Sequence, residues 1–400
     1  MISVPITRRS LAGLASLPWL DGRARAAETP LRIGVLTDET GPYADSGGPG
    51  SVLAAQMAAA DFGGRVLGRP IGIVHADHQN KPDIAAAIAG HWYDENGVDA
   101  IIDLPVTAIA LAVQEVAKQR QKTVMITAAA TADLTAKFCT PVSTHWADDT
   151  HALTAGTAKA VLDGGAKSWF FITVDHAFGR ALQRDASAVI AANGGQVLGA
   201  ARHAIGATDF APFLLQARAS GATAIGLASV GGDLINLIKQ AREFGLLGAK
   251  GTVIVGFLTY ITDINALGLD LTQGLTFSAG FYWDQSASAR QFGARFKAAR
   301  HAMPTKNQAA IYTAARHYLR ACESAKTSEA VAVNRAMRAR PVDYFGHPAR
   351  VREDGRVIYD LTLYRVKTPQ ESRAPWDYYQ KLATIAGDSA FLPANPACAE

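Results

Sequence analysis

The sequence predicts an α/β protein made of two successive doubly wound, open parallel-sheet units. Short runs of β-branched and aromatic residues alternate with longer Ala-rich stretches at helical spacing, the pattern of parallel strands joined by crossover helices. The alternation holds up to Gly280 and then gives way to consecutive helices, so the first 280 residues carry both units. With 400 residues, 49% hydrophobic and 18% charged, each unit has enough apolar material for its own core, and disordered, collagen-like and coiled-coil chains are excluded.

Residues 1–26 read as an export signal: Arg8-Arg9 precede an apolar run from Leu11 to Leu20, and Ala24-Arg25-Ala26 places small residues two apart. The arginine pair fits either the general secretory route or the twin-arginine route. Removing Arg8, Arg9, Arg23, Arg25 and Asp21 leaves 35 basic and 34 acidic side chains, a balance that calls for no nucleic-acid or anionic-membrane partner. No later stretch reaches the ~18 apolar residues of a membrane span, so a free periplasmic protein is expected; a monomer is expected as well.

Strands are expected at Leu31 to Thr37, Ile71 to Ala76, Asp99 to Leu104 and Thr123 to Thr127 in the first unit, and at Trp169 to Val174, Gln196 to Arg202, Thr223 to Ser229 and Thr252 to Phe257 in the second. The intervening helices run over Gly50 to Asp61, Pro82 to Glu95, Val106 to Arg120, His151 to Leu162, Gly179 to Ala192, Phe210 to Ala219 and Asp233 to Phe244. Later helices cover Ala287 to His301, Asn307 to Ser324 and Ser328 to Ala339, and one strand covers Val357 to Val366. Neither group makes a core alone, so both should complete the earlier units. Residues 369–400 read as an extended surface tail. Cys322 lies on the apolar face of its helix as a buried thiol, which leaves Cys139 and Cys398 either as a disulfide to that tail or as two free thiols.

Catalytic and cofactor motifs are missing. There is no Cys-x-x-Cys, no His-Glu-x-x-His and no phosphate loop ending in Gly-Lys-Ser/Thr. Leu227-Ala228-Ser229-Val230-Gly231 has Leu where a nucleophile elbow needs Gly, and Gly63-Gly64-Arg65-Val66-Leu67-Gly68 follows a helix rather than a strand. His75 and His78 lack a nearby third metal ligand. These absences point to binding rather than chemistry, with no cofactor and no metal.

Five stretches in order carry a family resemblance: Ile33-Gly34-Val35-Leu36-Thr37-Asp38-Glu39-Thr40-Gly41-Pro42-Tyr43-Ala44, Leu67-Gly68-Arg69-Pro70-Ile71, Ala129-Ala130-Thr131-Ala132-Asp133-Leu134-Thr135, Asp175-His176-Ala177-Phe178-Gly179 and Asp209-Phe210. Over about Leu31 to Val366 the chain resembles the leucine/isoleucine/valine-binding protein family, the soluble receptors of ATP-driven importers. The resemblance implies the type I periplasmic binding protein fold: two lobes joined by three hinge crossings, a small-molecule ligand clamped between them and a membrane permease as partner. It implies lobes of 27–147 plus 281–340 and of 148–280 plus 341–368, with crossings near His145 to Thr150, Phe277 to Tyr282 and Ala339 to Phe345.

Open parallel sheets bind ligands at the carboxyl ends of their strands, where helix N-termini favour anions. The resemblance puts Thr107, Ala129 and Thr131 where the family holds an amino-acid carboxylate, and Phe178 where it often places a Tyr. Tyr43, Ser46, Ala130 and Val230 complete the expected lining. Each Thr also reads as a cap or turn hydroxyl, and Phe178 as a core aromatic. One departure bears on the ligand. Where relatives carry an acid for the ligand ammonium, this chain reads Gly256-Phe257-Leu258-Thr259-Tyr260, and Asp263 comes several residues late. A buried ammonium without a counter-charge costs several kcal/mol, which disfavours an amino acid. Phe257, Leu258, Tyr260, Tyr282 and Trp283 would line an apolar pocket or pack as ordinary core, and the expected ligand is a carboxylate with an aromatic or apolar body. An amino-acid or amide receptor, a sensing subunit and an exported enzyme are the alternative readings.

Overall fold

The computed structural model describes residues 1–2, 28–247 and 251–398; the expected export signal lies almost wholly outside them. The first lobe runs β1 (Leu31–Thr37), α1 (Gly48–Asp61), β2 (Arg65–Val66), β3 (Arg69–Asp77), α2 (Pro82–Asp94), β4 (Val98–Asp103), α3 (Thr107–Arg120), β5 (Thr123–Ile126), α4 (Asp133–Ala136) and β6 (Ser143–His145). Its strands form a six-stranded sheet in the order β2-β3-β1-β4-β5-β6, parallel except for the β2–β3 pair.

The second lobe runs α5 (Thr150–Asp163), β7 (Ser168–Val174), α6 (Ala177–Ala192), β8 (Gln196–His203), α7 (Ala211–Ala219), β9 (Ala224–Ala228), α8 (Gly232–Glu243), β10 (Val253–Gly256), α9 (Ile261–Leu267), α10 (Leu269–Thr272) and β11 (Thr276–Ala279). Here β10-β9-β7-β8 form a parallel sheet. Both central strands, β1 and β7, are buried almost throughout because helices cover both faces. The fold class is therefore the one the sequence predicts.

The chain then returns to the first lobe through α11 (Ala287–Arg300), α12 (Lys306–Ala325) and α13 (Ala330–Ala339). Helix α12 is buried along most of its length against α1, with Ala314, Ala315, Tyr318 and Cys322 in the first-lobe core. The final segments are β12 (Pro341–Tyr344), β13 (His347–Val351), β14 (Val357–Ile358), β15 (Leu361–Val366), β16 (Tyr379–Ile385) and α14 (Gly387–Ala390).

Three expectations need correction. The strand read as Val357 to Val366 is two strands in different sheets: β14 closes the antiparallel β12-β13-β14 sheet, whereas β15 pairs with β11 and β16. Val342, Tyr344, Val351 and Val357 lie in the first-lobe core, so residues 341–358 belong there, and the third crossing is at Tyr359 and Asp360 rather than at Ala339 to Phe345. The tail is not merely extended surface. β16 adds a strand to the second lobe, and then Ala390 and Phe391 return to the first-lobe core, which makes a fourth crossing. A Cys139–Cys398 disulfide, with Cα atoms 5.8 Å apart, fixes the end of the tail, and Cys322 is a buried free thiol.

The crossings meet at Asp148. Its carboxylate accepts from Gly280 N at 3.1 Å and from Tyr359 Oη at 2.9 Å, and Lys306 Nζ lies 3.0 Å away, with both charged side chains buried. Gly280 has to be glycine, because a Cβ there would lie 2.3 Å from the Tyr359 ring and 2.6 Å from Asp148 Oδ1. Beside it, buried Arg356 reaches His145 Nδ1 at 2.9 Å and Asp149 Oδ2 at 3.4 Å. Removing one member of a buried pair strands the other charge, so Asp148→Ala should destabilise the fold by about 3–5 kcal/mol in denaturant titrations. Reducing the disulfide, or replacing both of its cysteines with Ser, should cost on the order of 2–4 kcal/mol in the same assay.

Candidate functional site

The strand ends of the two sheets face each other across a cleft of about 390 Å³, including the space open to solvent. On the first-lobe side, Asp38 organises the loop after β1 by accepting from the amides of Gly41 and Tyr43, both at 2.8 Å. The start of α12 steadies the same loop: Thr305 Oγ1 donates to Ser46 O at 2.7 Å and Gln308 Nε2 to Gly47 O at 3.0 Å. Burial, helped by the charges of Asp233 and Asp38, pushes the Tyr43 hydroxyl up to about 12, so it stays protonated and able to donate.

β4 ends on two non-glycine residues in the left-handed region, Asp103 (φ 95°) and Leu104 (φ 65°). Such strain persists only where the surroundings hold it, and here Leu104 donates to Leu36 O and accepts from Ala129 N. The turn delivers Pro105, Val106 and Thr107 to the cleft as α3 begins. Thr107 is 5% exposed, and among the described residues its Oγ1 has no hydrogen-bond partner and no side chain caps the helix. After β5, the amides of Ala130 and Thr131 likewise donate to no other group among the described residues. A buried hydroxyl, free loop amides and a helix N-terminus together suit an anion.

From the second lobe, His176, Phe178, Val230, Leu258 and Tyr260 line the opposite wall. His176 caps α6, its Nδ1 accepting from Phe178 N at 3.2 Å. The lobes touch across the cleft. Asn307 Nδ2 donates to Tyr260 Oη at 2.9 Å, Arg184 pairs with Asp133 at 3.1 Å, and Gly231 packs so closely that a Cβ would lie 3.0 Å from Pro42 O.

Of the expected lining, Tyr43, Ser46, Thr107, Ala130, Phe178, Val230 and Leu258 border this cleft, while Ala129, Thr131, Phe257 and Tyr282 do not. Ala129 is committed on both sides, its amide to Leu104 O and its carbonyl to His145 Nε2 at 2.7 Å. Thr131 Oγ1 accepts from Asp133 N at 3.3 Å and its carbonyl from Leu134 N, which ties the residue into the start of α4. Phe257 is stacked on Trp169 and Phe171 in the core, since alternation along the segment after β10 turns Leu258 rather than Phe257 outward. Tyr282 lies in an aromatic cluster with Tyr364 and Tyr379, its hydroxyl donating to Trp376 O at 3.0 Å.

Sequence reasoning missed His176 as a lining residue, although its position directly after β7, at the start of a helix, is a strand-end signal. No carboxylate is among the lining residues. Asp263 turns back to accept from Tyr260 N at 2.9 Å, and burial raises it to about 7; Asp233 accepts from Gly206 N at 3.0 Å. His75 bonds Glu39 at 2.7 Å on the surface.

The family model described as periplasmic binding protein matches residues 30–372. A periplasmic binding protein from Burkholderia mallei is 44% identical with a TM-score of 0.89, over 91% of this chain and 96% of that one. A branched chain amino acid ABC transporter periplasmic ligand-binding protein from Burkholderia xenovorans LB400 is 38% identical with a TM-score of 0.82, over 91% and 97%. A Leu/Ile/Val-binding protein homolog from Brucella melitensis is 25% identical over 241 residues, 60% of this chain; the match spans 61% of that relative's length. The two-lobed fold, the ordered landmarks and these matches agree: the chain belongs to the leucine/isoleucine/valine-binding family of type I periplasmic binding proteins.

Proposed function

We propose that this protein is the periplasmic receptor of an ATP-driven importer, and that it presents a small carboxylate with an aromatic or apolar body to a membrane permease. The observation that carries the ligand class is the asymmetry of the cleft. The first lobe offers the unpartnered Thr107 hydroxyl, the free amide of Ala130 and the N-terminus of α3, all donors. The second lobe offers mainly hydrocarbon, Phe178, Val230 and Leu258, beside the His176 ring and Tyr260, and no carboxylate lines either wall. Donors at one end hold an anion, and apolar side chains at the other accept a body that needs no counter-charge.

The 38% identical relative is described as belonging to a branched chain amino acid transporter, and this favours an amino acid as the second reading. That reading needs an acceptor for a buried ammonium, and the lining supplies only hydroxyl and carbonyl oxygens for it. A thermal-shift screen of aromatic acids, aliphatic acids and branched-chain amino acids decides between the two. Acids should raise the melting temperature, since a ligand at 100 times its Kd stabilises by about 2.7 kcal/mol. Stabilisation by amino acids alone would reverse the assignment.

Two substitutions test the asymmetry. Thr107→Val removes one donor at nearly constant shape and should weaken carboxylate binding by roughly 1.5–3 kcal/mol in calorimetry, with the unliganded protein still folded. Leu258→Glu should lower affinity for the same acid at least ~10-fold by adding a second buried negative charge, in protein whose folding is checked by its melting curve.

A further inference from the structure

Two residues of the cleft lining each carry a buried side-chain atom with no hydrogen-bond partner among the described residues: Thr107, at Oγ1, in the first lobe and His176, at Nε2, in the second. The first belongs to the anion site. The second has no counterpart in that account, because it belongs to the wall that otherwise presents Phe178, Val230, Leu258 and the Tyr260 ring.

The hydrogen bond at its other nitrogen settles what His176 can do. Phe178 N is a backbone donor, so the Nδ1 that receives it at 3.2 Å must be unprotonated, and the proton of a neutral ring then sits on Nε2. Burial, reinforced by Arg180 and His203 and opposed by Asp175, lowers the ring to about 4, so the neutral form is the one present near pH 7. Hence Nε2 is a neutral N–H donor, closed to solvent and unsatisfied. It offers nothing to an ammonium. The carboxylate does not need it either, since Thr107 and Ala130 already supply donors on the opposite wall.

We propose that His176 is a specificity-determining residue and that the ligand carries, at the end remote from its carboxylate, an uncharged oxygen that accepts the Nε2 proton: a hydroxyl, an ether, a ketone or an amide carbonyl. This rests on the carboxylate reading above and narrows it. A ligand without that oxygen leaves a buried N–H unpaired, and sites built around such a bond discriminate strongly against analogues that lack the partner.

The test uses calorimetry on the whole protein with matched acids: benzoate, 4-methylbenzoate and 4-hydroxybenzoate, and hexanoate with 5-oxohexanoate. The oxygen-bearing member of at least one set should bind 10-fold or more tighter than its apolar partner. His176→Asn keeps a side-chain acceptor for the α6 cap but withdraws the distal donor, and His176→Phe removes both; melting curves establish that each is folded. In a folded variant the ratio between oxygenated and apolar acids should fall to within about threefold of one. Acids that bind wild type with no preference for the oxygen, or a preference that survives both substitutions, would overturn the role of His176 while leaving the carboxylate reading intact. Binding of amino acids but of no acid in the panel would overturn both.

Discussion

Three of the chain stretches that join the lobes meet at the Asp148 carboxylate. Each lobe has its own sheet and its own apolar clusters, although Ala130 of the first lobe packs into a cluster of the second. What sets their relation is one buried negative charge that gathers the Gly280 amide, the Tyr359 hydroxyl and the Lys306 ammonium from three separate stretches of chain. A buried carboxylate tolerates few arrangements, because every lone pair left without a donor is costly when water is excluded. The crossings are thereby held in register where the backbone is thinnest.

The cleft follows from that arrangement. With the two sheets fixed strand-end to strand-end, the loops after β1, β4 and β5 face those after β7, β9 and β10. The strained Asp103–Leu104 turn has its place here: it aims the start of α3 into the cleft, and the Leu36 and Ala129 backbone bonds keep it there. Burial raises Asp103 to about 6, a cost the fold accepts to keep that turn packed beneath the site. Polarity is divided between the lobes. Donors concentrate on one side and hydrocarbon on the other, so a ligand must match both at once for the closed arrangement to be favoured.

The longer strands and helices of both sheets were legible because each is a single periodic segment buried by its own neighbours, whereas the two- and three-residue β2 and β6 at the edges of the first sheet are too short to show a period. The C-terminal region was not legible either. Val357 to Val366 has unbroken strand character, and only long-range packing shows that Tyr359 and Asp360 divide it between two lobes. Phe257 and Leu258 are adjacent apolar residues, and which one faces the cleft depends on a half-turn of backbone that composition does not encode. Tyr282 reads as a pocket aromatic but is claimed by Trp376 and Tyr379, partners almost a hundred residues away. His176 stood in a quoted landmark, yet a lone histidine gives no sign of which nitrogen will be left free until its cap is seen.

The Cys139–Cys398 bond has a topological consequence. Both sulfurs belong to the first lobe, and the chain between them leaves for the second lobe and comes back twice. The whole second lobe is thus threaded on a closed covalent ring anchored at both ends to its partner lobe. Two molecules cannot exchange second lobes while that ring is intact, because exchange of an element between copies needs an open linker to carry it across. A single backbone cut inside the second lobe also leaves both pieces tied to the same molecule until a reductant opens the ring.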